Sequence, residues 1–236
     1  MKKEFKVKKS IGKYGKCLQK IFKMLKKKPE IINLNIEELP TKCIIIANHN
    51  GAGGPFNFRI FMKEHYMSWG AHQMTEGFNS RRRYLYHTFY RQKLGYGKFK
   101  AFLLSIGFGL VSPLPYGIAG TILVYYDARV KSTLLNSVKC IENDVPVFIF
   151  PEDSSKGYKK IIEKLFGGFL QLSKMYYKKH KVDLPIYILR YNNNPKQIVY
   201  GKPMYYQELA KSHTDKEILK IFLDYLNSLK AIHHKR

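Results

Sequence analysis

Cys43-Ile44-Ile45-Ile46-Ala47-Asn48-His49-Asn50-Gly51-Ala52-Gly53-Gly54 is the stretch from which the organisation of this chain can be read. Residues 44–47 are four apolar residues in a row, three of them β-branched, which suits a short strand covered on both faces. Asn48, His49 and Asn50 end the run, and Gly51, Gly53 and Gly54 follow. Glycine tolerates positive φ and lets a backbone or a ligand approach closely. The stretch therefore predicts a buried strand that delivers His49 into a glycine-rich turn, a common site arrangement at strand ends of α/β proteins. A histidine that only caps the turn is the other reading, and these residues alone leave both open.

Working outward, the pattern recurs. Val145-Pro146-Val147-Phe148-Ile149-Phe150 reads as a second buried strand, and it feeds Pro151-Glu152-Asp153-Ser154-Ser155-Lys156-Gly157, another polar turn. Residues 184–191 read as a third strand, and 197–200 start a fourth that Gly201-Lys202-Pro203 closes. Pro40 marks the approach to the first strand, over 42–47. Helical patterns cover 56–67, 132–140, 167–177 and 215–232, the last through Ile218, Ile221, Phe222, Tyr225, Leu226 and Leu229. Alternating strands and helices predict an α/β fold, a central β-sheet covered by helices. The expected organisation is a basic amphipathic amino-terminal segment over 1–40 and one α/β domain over 41–236, without internal repeats.

The charge is far from ordinary. Lys and Arg number 42 against 17 Asp and Glu, giving +25 and a pI near 9.8, while apolar content is 45%. Such an excess implies a polyanionic partner: nucleic acid, an anionic bilayer, or acidic substrates and carriers. No helix-turn-helix, zinc-finger or RNA-recognition signature supports nucleic acid, so none is expected as partner. Cys17, Cys43 and Cys140 are odd in number and widely spaced, which argues for a reducing compartment and against a disulfide framework or a metal site. The amino terminus is basic but lacks the apolar run and cleavage site of a signal peptide.

Two segments point to lipid. Residues 1–28 have an amphipathic helical pattern, with Ile11, Tyr14, Leu18, Ile21, Phe22 and Leu25 on one stripe, lysines between, and Pro29 as the stop, which fits a helix in a membrane interface or one packed on its own domain with a solvated lysine face. Residues 101–126 contain no charged side chain, yet Pro113, Pro115 and several glycines argue against one straight spanning helix. A broken hairpin dipping into one leaflet fits, as does a buried core segment. Arg81, Arg82 and Arg83 stand among Tyr84, Tyr86, Phe89 and Tyr90, most simply as one face of a helix. His65, His72 and His87 lack motif context, and His233 and His234 belong to a basic tail.

Taken together the two turns resemble the glycerolipid acyltransferase family, the 1-acylglycerol-3-phosphate acyltransferases and their relatives. That family carries Asn-His, four residues and Asp after its first core strand, then Phe-Pro-Glu-Gly-Thr-Arg-Ser after a later strand. Asn48-His49 matches the first motif, and Phe150-Pro151-Glu152 with Ser154 and Ser155 partly matches the second. Leu184-Pro185-Ile186-Tyr187-Ile188 and Gly201-Lys202-Pro203-Met204 resemble the next two blocks, in the same order, so the resemblance covers residues 41–230. The sequence departs from the family at Gly54, where the family has its Asp, and at Asp153-Ser154-Ser155, where the motif's arginine is missing but Lys156 follows. The family's middle, phosphate-gripping arginine has no clean counterpart; Arg129 in Tyr125-Tyr126-Asp127-Ala128-Arg129 is the best stand-in.

The resemblance implies transfer of a fatty acyl group from acyl-CoA or acyl carrier protein to a hydroxyl of a lysophospholipid or related glycerolipid. It implies neither metal nor bound cofactor, and a peripheral or monotopic place on the cytoplasmic side of an anionic membrane. His49 would be the catalytic base, with an ordinary pKa of about 6.5 suited to the task. Asn48, Glu152, Ser154 and Ser155 would bind the polar part of the acceptor, and Arg129 and Lys156 its phosphate. The absent Asp leaves three outcomes open. Asp153 or Asp127 folds back to orient His49, an unassisted histidine works weakly, or the chain binds lipid without turnover.

Overall fold

The computed structural model describes residues 4–35, 37–51 and 53–230. The basic tail with His233 and His234 lies outside the described residues. The isoleucine run forms β2 (Ile44–Ala47), buried at every position. It lies between β5 (Val147–Ile149) and β6 (Pro185–Asn193), parallel to both. Next to β5 come β3 (Met67–Ala71) and β4 (Thr121–Val124), also parallel. On the other flank β7 (Lys196–Tyr200) runs antiparallel to β6 and parallel to β1 (Glu30–Asn33), and β8 (Met204–Tyr205), followed by the short α8 (Tyr206–Leu209), pairs with the start of β6. The sheet order is β1-β7-β6-β2-β5-β3-β4, so the fold is α/β with a mostly parallel central sheet.

The pleat explains why β2 is apolar throughout. Cys43, Ile45 and Ala47 pack against Phe58 and Phe61 of α2 (Gly53–Phe61) on one face. Ile44 and Ile46 meet the opposite layer, built by α6 (Val130–Glu142), α7 (Gly168–His180) and α9 (Asp215–Ser228) through Ile141, Phe169 and Phe222. Fully burying such a side chain contributes roughly 1.5–3 kcal/mol, so this strand anchors both layers. Thr214 and Glu217 form a reciprocal capping box that starts α9. The crossovers from β2 through α2 to β3, from β4 through α6 to β5, and from β5 through α7 to β6 bring five parallel strands to one carboxyl edge.

The longest crossover, from β3 to β4, is a helical roof. It contains α3 (Phe78–Tyr84), a π-helical segment (Leu85–Lys93), α4 (Lys98–Val111) and α5 (Pro113–Ala119), held by a separate cluster of Met74, Leu85, Tyr90 and Ala101. The charge-free stretch thus divides between two helices and β4, with Gly120 (φ +72°) at the break between them. α4 and α5 meet at a 48° bend. Its chemistry is local: the carbonyl of Gly109 would accept from residue 113, but Pro113 has no N–H. Arg81 fills the gap, its Nε donating to Gly109 O at 2.6 Å and its Nη1 to Glu76 O at 2.7 Å. Among the described residues no helix is long and apolar enough to cross a membrane alone; α4 and α5 reach that only as a bent pair.

Two expected helices are corrected. Residues 1–28 are not one helix: α1 (Gly12–Leu25) starts only at Gly12, whose left-handed φ of +69° breaks the approach. Residues 56–67 are not one helix either, because α2 ends at Phe61 and Met67 opens β3. The polar Lys63-Glu64-His65 turn separates them, and Gly70 lets β3 approach Thr121 of β4, where a Cβ would lie 2.6 Å from the threonine methyl.

Candidate active site

Strand register places the first two motifs side by side. Ile46 is paired with both Ile149 and Ile188, and three residues further on stand His49, Glu152 and Tyr191. Asn48 binds this edge together. Its Nδ2 donates to Tyr191 O at 3.0 Å and its Oδ1 accepts from Tyr191 N at 2.8 Å, so a buried side-chain amide extends the β2–β6 ladder. Asn48, expected to meet substrate, thus has its amide engaged by the backbone of β6.

Glu152 is buried as well, and it faces backbone. Its Oε2 accepts from His49 N at 2.9 Å, and the carboxylate also accepts from Asn50 N. Burial pushes its pKa up, while those two N–H groups and the charges of Arg190 and Lys93 oppose the rise. Glu152 is therefore a clamp across the two turns and not an exposed acceptor ligand. Nor does it cap a helix, since the next one begins only at Gly168. Arg190, buried on β6, donates to the carbonyls of Leu226 and Lys160 and so ties α9 and the second turn's loop to the same strand.

The glycine turn then supplies a partner for the imidazole. Asn50 and Gly51 both take left-handed φ, 44° and +65°, which folds the Gly51 carbonyl back onto His49 Nδ1. A carbonyl only accepts, so Nδ1 carries the proton and Nε2 keeps the lone pair. Tyr158 stacks on the ring at a 5.0 Å centroid distance, and Phe150 meets it edge-on at 5.2 Å. Burial and then the nearby Lys93 charge outweigh the Gly51 bond and hold the His49 pKa down to about 4. The ring is neutral at pH 7, with one nitrogen fixed as donor and the other free to take a proton.

Gly54 is not an aspartate site in this geometry. A Cβ there would lie 2.4 Å from His49 O and 2.9 Å from Asn48 O, because the start of α2 is folded tightly under the turn. The alternative carboxylates do not substitute. Asp153 accepts from Ser155 N at 3.1 Å and pairs with Lys164 at 3.7 Å. Asp127 holds Arg129 in a two-toothed exposed ion pair, the guanidinium 4.3 Å from the Tyr125 ring. Both lie beyond β4, three strands from β2, so Arg129 and Asp127 are not assembled with His49. Ser154 is buried in the second turn, whereas Ser155 and Lys156 are exposed on it.

Lys93 has no part in the motif pattern, yet it belongs to this site. It ends the π-helical segment, half-buried, where burial lowers its pKa and the fields of Glu152 and Asp153 raise it. Its neighbours fasten the roof to both turns: Gln92 Nε2 donates to Ser155 O at 3.1 Å, and Leu94 packs beside Gly51. A π-helical segment over a functional site is a recurrent arrangement. The thiols of Cys43 and Cys140, buried and pushed up to about 12, stay protonated and are not nucleophiles. No trio of His, Cys, Asp or Glu positioned for a metal occurs among the described residues. No protein-family model, curated protein or solved structure significantly matches the chain.

Proposed function

We propose that this chain is an acyltransferase. It moves a fatty acyl group from acyl-CoA or acyl carrier protein to a hydroxyl of a lysophospholipid or related glycerolipid, in phospholipid biosynthesis. It works at the cytoplasmic face of an anionic membrane and uses no resident metal or cofactor. The observation that carries the reading is a neutral histidine at a strand's carboxyl end, its Nδ1 proton committed to the Gly51 carbonyl and its turn clamped by Glu152. The order and spacing of motifs shared with glycerolipid acyltransferases support the same chemistry.

In this mechanism His49 Nε2 accepts the acceptor's hydroxyl proton as that oxygen attacks the thioester carbonyl carbon. The C–O bond forms, the C–S bond breaks, and the proton passes to the departing thiolate. Glu152 acts through the backbone of residues 49 and 50 and is a positioning residue. Lys93, whose field reaches His49, Glu152 and Asp153, takes the role of holding an anionic group that Arg129 was expected to play. A carbonyl supports a developing imidazolium less than a carboxylate does, which favours one second reading, a lipid-binding protein without turnover.

The purified chain, given acyl-CoA with lysophosphatidic acid and a panel of other acceptors, tests this beside His49→Ala. Product formation lost in the variant supports acyl transfer. Folded protein that yields no product with any acceptor supports the second reading.

A further inference from the structure

α4 has two opposed faces. Inward, Ala101, Ser105 and Gly109 follow one another at four-residue intervals and are buried, Gly109 beside Phe78 and Leu85. Outward, the side chains are apolar and bare: Phe99 is 77% exposed, Leu103 52%, Leu110 64% and Val111 61%, and Leu114 at the start of α5 is 64% exposed. An uncovered apolar face of this extent marks an interaction surface.

The surroundings of that face say what covers it. From Gly77 to Tyr126 there is no acidic residue, while Lys98 and Lys100 open α4 and Arg82 and Arg83 line an open cleft of about 500 Å³ on α3. Arg81 joins α3 to Gly109, one residue before Leu110. α1 lies alongside, with Gly15 packed on Ile118 of α5 and Lys8 Nζ bonded to Gly117 O. α1 also lacks acidic residues, carries Lys13, Lys16, Lys20 and Lys23, and leaves Tyr14, Met24 and Leu25 largely exposed. An apolar face whose own helices carry cations and no acidic side chain is complementary to acyl chains beneath anionic headgroups. It is a poor seat for a second copy of a +25 chain, since like charges would meet across the interface.

We propose that this face seats in one leaflet of an anionic bilayer, the bent α4–α5 pair entering the acyl region as a re-entrant wedge and α1 lying at headgroup depth. The bend suits that role because Arg81 satisfies the Gly109 carbonyl from the protein side, where lipid offers no donor. The seat rests on the membrane half of the reading above and not on chemistry at His49, so its failure leaves acyl transfer standing.

Flotation of the full chain on vesicles of phosphatidylcholine with phosphatidylglycerol tests it, against phosphatidylcholine alone and against a Leu103→Glu/Leu110→Glu/Leu114→Glu variant. Far-UV circular dichroism monitors folding of the variant. The expected result is at least a tenfold loss of partitioning both in the variant and on neutral vesicles. As a check that leaves the other apolar side chains in place, an environment-sensitive dye on Leu110→Cys, in a Cys17→Ser background, should brighten several-fold on anionic vesicles. It should also be quenched by a nitroxide on the acyl chain. A folded variant that floats like the parent, or a dye at position 110 that stays in water, overturns the proposal. So does a lipid-free dimer that the three glutamates dissociate, since the occupant would then be a second copy.

Discussion

At the scale of single residues, His49 and Gly54 carry the distinctive chemistry. A histidine held at about 4 is already deprotonated across the neutral range, so we predict kcat/KM without an inflection near 6.5 and an acid limb near 4. The same shift sets a stability slope. The folded chain binds fewer protons than the unfolded one between about 4 and the ordinary histidine value of 6.5. Stability therefore rises with pH through that window and is lost as pH falls, by on the order of 3 kcal/mol in full. Urea unfolding of the parent and of His49→Gln at pH 4.5, 5.5 and 7 measures it. The gap between them should narrow toward acid, and a gap independent of pH would show that the ring is not held neutral. Gly54→Asp is predicted to destabilise by about 1–3 kcal/mol and to lower turnover, because its Cβ meets the His49 carbonyl at 2.4 Å. Turnover that rose in this variant would mean that the turn relaxes and that Gly51 is not the required partner.

At the scale of elements, the bend between α4 and α5 is a repaired hydrogen-bond gap, and the repair makes a prediction. Arg81→Met leaves the buried carbonyl of Gly109 without that donor, and the more exposed one of Glu76 to water, and should cost about 1–3 kcal/mol in chemical unfolding. Pro113→Ala restores an N–H at the position that would bond Gly109, so in the Arg81→Met background it should return part of the loss. Additive effects of the two substitutions would show that Arg81 does not serve the gap. This arrangement was hidden in the sequence, where Arg81 stands in a basic and aromatic run that marks no side chain as buried. β2, β5 and β6 were legible because a strand covered on both faces must be apolar at successive positions, and Ile44 to Ile46 leave few alternatives. β3 was not, since Ser68, Trp69 and Gly70 show neither alternation nor an apolar run and follow directly on a helical pattern. Lys93 was invisible for a related reason: the π-helical turn before it decides which lysine of the run faces the site, and periodicity does not encode that turn. His49 and Glu152 were legible as a pair of strand-end turns, but Glu152 as a backbone clamp and Gly51 as the imidazole's partner required the left-handed turn itself.

At the scale of the whole molecule, the +25 charge acts on encounter more than on chemistry. Both proposed donors are polyanions at their carrier ends, and the site's own cation, Lys93, stands beside two carboxylates that take up part of its field. Attraction of the donor therefore comes from the molecule as a whole, across distances that salt screens within a Debye length of about 10 Å at 0.1 M. We predict that kcat/KM for acyl-CoA falls several-fold between 0.02 and 0.3 M salt while kcat changes little, because bound donor no longer depends on steering. An uncharged acyl thioester, lacking the phosphates, should show a slower but salt-independent kcat/KM. Steady-state rates with a detergent-solubilised acceptor separate this effect from membrane binding, which salt also weakens. Equal salt slopes for the charged and uncharged donors would place the excess charge elsewhere, on the membrane-facing helices alone, where Lys13, Lys98 and Arg82 serve the lipid surface and not the donor.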